Sequence, residues 1–195
     1  MPRLPEVTGP YAIGTQTFHL VDETRDEIYT DDPADKREIM MQLWYPAEPD
    51  AEPNANADLN TDAEPVEAGS SLRQVQGAAH YLQDLDVMGS VLAERLGLPS
   101  FLLDHIDLVK VDAQIDVPVL AEDAPYPVLV FSHGLRGIRA QNTSLVRELV
   151  SHGFVVATID HTYGNLITVF PDGRVAMYNP AVLSETGDPP QTSNL

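Results

Sequence analysis

Cysteine is absent from the 195 residues. That excludes disulfide staples, thiolate catalysis and Cys-ligated zinc or iron–sulfur sites. Lysine is almost absent: Lys36 and Lys110 stand against nine arginines. Positive charge as a whole is scarce, with 11 Lys+Arg facing 30 Asp+Glu for a net charge of −19. A surface this anionic repels phosphate, so neither a nucleic acid held by counterion release nor an anionic membrane surface is an expected partner. No apolar run approaches the roughly 20 residues of a membrane-spanning helix, and the longest, residues 127–131, is strand-sized. The opening stretch MPRLPEVTGP has no basic segment followed by an apolar one. No signal peptide is visible, so a cytoplasmic location is the expectation, although a mature secreted form would read the same. Apolar residues are plentiful, at 43% of the chain, which is enough for a packed core.

Residues 11–22, YAIGTQTFHLVD, mix β-branched and aromatic residues and read as a strand. A charged turn is expected over residues 23–35. Residues 37–45, REIMMQLWY, read as a second strand with Ile39, Met41, Leu43 and Tyr45 on one face and Pro46 as its stop. A hairpin is the simplest pairing of the two. Residues 47–70 then lose apolar anchors and fill with Pro, Asp, Glu and Asn. Such a segment cannot repay its ordering entropy and reads as a flexible acidic loop. It lacks the alternating Asp/Asn ligands and central Gly of a calcium-binding loop.

Residues 71–106 read as a helical insert: Val87, Val91, Leu92, Leu96 and Leu98 fall near helical spacing, Gly97 and Pro99 end that helix, and residues 100–106 suit a second, short one. Residues 109–117 alternate apolar and polar, the pattern of a half-buried strand. Residues 126–131, YPVLVF, are apolar on successive positions, which predicts a strand covered on both faces, as in a parallel sheet. Asn142 or Thr143 can cap a helix running to about Ser151, with Leu145, Val146, Leu149 and Val150 as its apolar stripe and Gly153 as its stop. Residues 154–159, FVVATI, are a second doubly covered strand, so 126–160 form a strand–helix–strand unit. Residues 170–174, FPDGR, mark a turn between short strands. Residues 184–195 read as a polar, flexible tail.

The sharpest chemical feature is the loop Ser132-His-Gly-Leu-Arg-Gly137 between a buried strand and a helix. Ligands of open parallel sheets bind at such strand ends. Gly134 and Gly137 permit close backbone approach and positive φ, and a loop of this kind can aim a main-chain N–H at a developing oxyanion.

The blocks YPVLVFSHGLRG, ELVSHGFVVATIDHTYG and FPDGR, preceded by LPEVTGPYAIGT and MMQLWYPA, resemble the plasma-type, isoform II-like platelet-activating factor acetylhydrolases of the α/β-hydrolase superfamily. The resemblance runs in order across most of residues 4–174 and leaves out residues 47–70 and the tail. It implies an α/β fold: the N-terminal part of a single α/β-hydrolase domain over residues 1–195, with a β-hairpin, a helical insert and the start of the parallel sheet. It further implies a metal-free, cofactor-free Ser-His-Asp carboxylic ester hydrolase of the phospholipase A2/acetylhydrolase kind, acting on short acyl or lipid esters. In that reading the Leu135 N–H is an oxyanion donor, and His133 and Gly134 shape its loop.

The family's nucleophile sits on a G-x-S-x-G elbow after the next strand, and none of the nine serines here stands in that pattern. Ser132, in S-H-G after the wrong strand, is no substitute. The expectation is therefore that the triad lies outside these residues, that the lone chain is inactive, and that its partner is a missing C-terminal half, either a second chain or a cleaved remainder, carrying the elbow strand. Without that strand the segment 126–131 becomes an exposed apolar edge. A non-catalytic binding or scaffold protein derived from a hydrolase is the alternative, as is a dienelactone-hydrolase-like or polyester-cleaving branch.

The remaining polar residues carry competing readings. Arg136 is a substrate-binding candidate for an anionic head group, though it and Arg139 could instead pair with local carboxylates. Asp160 and His161 follow a buried strand, but successive side chains point to opposite faces, which favours loop organisation over an acid–base pair. His19, His80, His105 and His152 share no metal-ligand spacing. Trp44 reads as core.

Overall fold

A computed structural model describes residues 3–49, 78–97, 99, 104–122 and 124–183. Most of the acidic loop and the whole tail read from the sequence fall outside the described residues. Strand β1 (Ala12–Asp26) pairs antiparallel with β2 (Lys36–Ala47), from Ala12 opposite Ala47 to Asp22 opposite Arg37. The hairpin is the one expected, but both strands overrun the limits expected for them. β1 continues to Asp26 through an irregularity, and Asp26 there holds Lys36 at 2.6 Å. Pro46 does not stop β2 but pairs with Ile13. Its missing N–H is tolerated because pairing with the strand on the other side has already ended at Trp44.

The hairpin forms the middle of a six-stranded sheet of order β3-β4-β1-β2-β6-β5. β4 (Lys110–Ile115) runs parallel to β1, with Val111 and Ala113 buried as their alternation predicts. The proposed insert is not all helix. Residues 78–80 form β3 (Ala78–His80), antiparallel to β4, because an unpaired edge on β4 accepts a short strand. Helix α1 covers only Leu85–Leu96, closed as expected by a left-handed Gly97, and Asp104–Leu108 is a 3₁₀ turn.

On the other side of the hairpin, β6 (Val155–Asp160) runs antiparallel to β2 and parallel to β5 (Val128–Ser132). Between them lies α2 (Thr143–Ser151), stopped by Gly153 at φ 90°. Asn142 occupies the cap position without a side-chain capping bond. Val146 and Val150 of α2 pack on Ile13, Trp44, Val111, Ala113 and Val156, and full burial of each valine is worth about 1.5–3 kcal/mol. Leu145, expected in that stripe, is exposed instead. The inward face continues through Arg147, whose guanidinium reaches the Pro5 carbonyl and Asp112. A hairpin of β7 (Ile167–Val169) and β8 (Val175–Met177) turns at Gly173 and seats Phe170 and Ala176 on Met40.

β5 is the bare apolar edge expected where the elbow strand is missing. It is the edge of the sheet, and Val128 and Val130 are 65% and 66% exposed. Its other face is half covered, with Phe131 against the core. The two-sided burial expected for 126–131 requires a further strand and covering layer that the described residues do not provide.

Candidate functional site

Because β5 and β6 are parallel and in register, with Ser132 opposite Ile159, the loops that follow them emerge side by side. Backbone bonds join them: Arg136 N–H to the Gly164 carbonyl and Leu166 N–H to the Gly137 carbonyl, each at 3.0 Å. Gly137 N–H closes a four-residue turn on the Gly134 carbonyl at 2.8 Å. The left-handed residue of that turn is neither glycine. It is Arg136, at φ 59°, in the third position, where a type II turn ordinarily takes glycine. A left-handed residue bearing a Cβ costs roughly 1–2 kcal/mol. Gly137 is needed for another reason: a Cβ there would lie 2.8 Å from the His133 side chain and 2.9 Å from the Gly134 oxygen. At Gly134 a Cβ would meet open space.

Leu135 is the second residue of the turn and is 53% exposed. Among the described residues its N–H has no acceptor, while the N–H groups of Arg136 and Gly137 are both taken. His133 is buried beneath the turn. Its Nε2 accepts the His161 N–H at 3.2 Å, so Nδ1 carries the proton and donates to the Gly134 carbonyl at 2.8 Å.

One contact was not foreseen from the sequence. Ser132 Oγ lies 2.6 Å from His161 Nε2. Burial lowers the His161 titration below the ordinary imidazole range, with the charges of His133 and Arg37 adding to the effect and Asp160 opposing it. At neutral pH the ring is uncharged, and in its Nδ1–H form it can accept the Ser132 proton. Beneath this pair, Asp160 is buried and accepts both the Arg139 N–H, at 2.7 Å, and the Arg139 guanidinium. That guanidinium also reaches Gln83 at 3.1 Å, and Gln83 in turn holds Thr17. Asp160 and His161 thus face apart, as strand alternation requires, and Asp160 is occupied by Arg139 rather than orienting His161. Ser132 and His161 each end or follow one of two neighbouring parallel strands. That shared position was the available signal for their contact.

Arg139 takes the carboxylate partner foreseen for it. Arg136 does not: its guanidinium carbon sits 4.3 Å above the centre of the Tyr178 ring. His19, His80 and His152 lie against Glu38, Asp107 and Glu148. Trp44 is core.

A family model described as platelet-activating factor acetylhydrolase, isoform II, matches residues 1–170. The chain belongs to this family. The platelet-activating factor acetylhydrolase of Canis lupus familiaris is 26% identical over 163 residues, 84% of this chain and 29% of that protein. That of Cavia porcellus is 42% identical over 74 residues, 36% of this chain and 17% of that protein. The chain therefore spans less than a third of the length of these acetylhydrolases. Among solved structures, a ferulic acid esterase from Streptomyces cinnamoneus superposes with a TM-score of 0.64 at 26% identity, covering 93% of this chain and 42% of the esterase. The mixed sheet is accordingly of α/β-hydrolase type. The acetylhydrolase match takes in both loops of the site and stops at Phe170, short of Tyr178.

Proposed function

We propose that these residues form the N-terminal, oxyanion-bearing part of a serine ester hydrolase acting on short acyl or lipid esters, its nucleophile, general base and orienting acid supplied by polypeptide outside these residues. The observation that carries this reading is the Leu135 amide just past the C-terminal end of β5, unpartnered among the described residues in a turn that engages the two N–H groups after it. The bare Val128 and Val130 face supports the partner half of the proposal, since a buried-type strand left at an edge calls for a neighbour.

In this reading a serine hydroxyl of the partner segment attacks the ester carbonyl carbon, and its proton passes to the general base. The carbonyl π electrons move onto oxygen, and the Leu135 N–H donates to that oxyanion. Collapse expels the alcohol, which takes the proton back, and water repeats the sequence on the acyl-enzyme. Ser132 is not the nucleophile in this reading, because Asp160 is bound to Arg139 and no other carboxylate among the described residues orients His161.

The reading frame after residue 195 is expected to encode a G-x-S-x-G elbow. Hydrolysis of 4-nitrophenyl acetate is expected from the complete gene product and not from residues 1–195 alone. In the complete product Leu135→Pro, which deletes the N–H, should lower kcat by about 10²–10³ with little change in thermal unfolding. Activity in the isolated chain that Ser132→Ala removes would overturn the assignment of the nucleophile.

A further inference from the structure

With 30 acidic residues available, a basic side chain in this protein has no shortage of partners. Arg25, Lys36, Arg139, Arg147 and Arg174 each take a carboxylate. Arg136 takes none among the described residues, although it is exposed and follows directly on the free Leu135 amide. It keeps a left-handed backbone that glycine would adopt without strain. Strain retained next to an open donor is a feature of functional loops. Lying over Tyr178 engages only the π face of the guanidinium, so its in-plane N–H edge stays open to a second group. The Tyr178 hydroxyl is buried and has no partner among the described residues.

A second cation stands at the same end of the sheet. Arg37 is the second residue of β2, and β2 runs antiparallel to β6 with Met40 opposite Asp160. Arg37 therefore lies beyond the C-terminal end of β6, where the two loops meet. No carboxylate among the described residues pairs with it, and its charge acts on His161.

We propose that Arg136, with Arg37 behind it, forms an anion subsite beside the Leu135 amide that selects esters carrying a carboxylate close to the scissile carbonyl. The subsite rests on the ester-hydrolase reading above. A protein of net charge −19 repels an anionic ester at long range. Two arginines without a carboxylate partner among the described residues favour an anion locally at the reacting end, and the planar guanidinium edge matches the two oxygens of a carboxylate.

The test uses the complete gene product and two esters with one leaving group, 4-nitrophenyl acetate and mono-4-nitrophenyl succinate. The wild type is expected to favour the succinate. Arg136→Gly suits the left-handed backbone and so keeps the turn. It should lower the succinate-to-acetate ratio of kcat/KM about tenfold, chiefly through the KM for succinate, as loss of one charge-assisted contact implies. Arg136→Lys should restore part of the preference, and added salt should compress it in the wild type. An unchanged ratio in Arg136→Gly would overturn the subsite while leaving the hydrolase intact. Turnover of neither ester by the wild type would overturn the reading on which the subsite rests. As a readout independent of activity, Arg37→Gln should raise the His161 titration midpoint followed by NMR, and an unmoved midpoint would remove Arg37 from the subsite.

Discussion

Asp116 combines two unfavourable features in one residue. It follows β4 with a left-handed backbone at φ 56°, and its buried carboxylate has an Oδ1 without a partner among the described residues. Burial raises its titration above the ordinary carboxyl range. A carboxyl raised in the folded state holds its proton more tightly there than in the unfolded chain. The penalty is therefore absent below the ordinary carboxyl value and grows as pH rises towards the raised one. Asn, which tolerates left-handed backbone and carries no charge, should replace Asp116 with a gain of about 1 kcal/mol at neutral pH, vanishing in strong acid. Urea unfolding at two pH values measures it, and an equal gain at both would refute the charge argument. The nearby Tyr45 hydroxyl is pushed up to about 12 by burial and by Asp116, and donates to the Val117 carbonyl at 2.8 Å. Local pattern gave no warning of Asp116: the alternation of 109–117 is clean, and the burial of its last residues follows from contacts distant in the chain. Leu135 could be singled out because a small-residue loop after a buried strand is a local feature. The Ser132–His161 contact spans 29 positions and shows only once the two strands that precede those residues are placed side by side.

The element most exposed to a single change is the pair of loops clamped by Arg139 and Asp160. Removing one partner of a buried ion pair strands the other, at roughly 3–5 kcal/mol. Asp160→Ala is therefore expected to destabilise by that amount, and amide exchange over residues 133–141 should quicken more than in α2. Uniform acceleration would mean that Asp160 stabilises the fold without anchoring the loop. Helix α2 illustrates how far periodicity reaches. The spacing places Val146 and Val150 inward correctly, but it cannot tell whether position 145 or 147 shares their face, and the side chain with a carbonyl and a carboxylate to bond, Arg147, goes in. Residues 78–80 show the converse limit. Three residues are too few for a pattern, and they become a strand only because β4 offers them an edge.

For the molecule as a whole, the decisive feature is the edge at β5. The isolated chain is expected to self-associate through it, and Val130→Lys, which places a charge on the bare face, should shift it towards monomer in size-exclusion chromatography. The same change should block recovery of esterase activity when residues 1–195 are mixed with the remainder of the gene product. A wild-type chain that is monomeric at high concentration would remove the argument for a missing neighbour. Composition and local pattern alone determined the strands of the central hairpin, the strand–helix–strand unit, the turn at Gly173 and the loop that holds Leu135, because each depends on residues close in sequence. Tertiary structure alone decided that Arg136 rather than a glycine takes the left-handed position, and that Asp160 is the carboxylate claimed by Arg139. Those outcomes depend on which groups remain free to pair once the strands have been laid side by side.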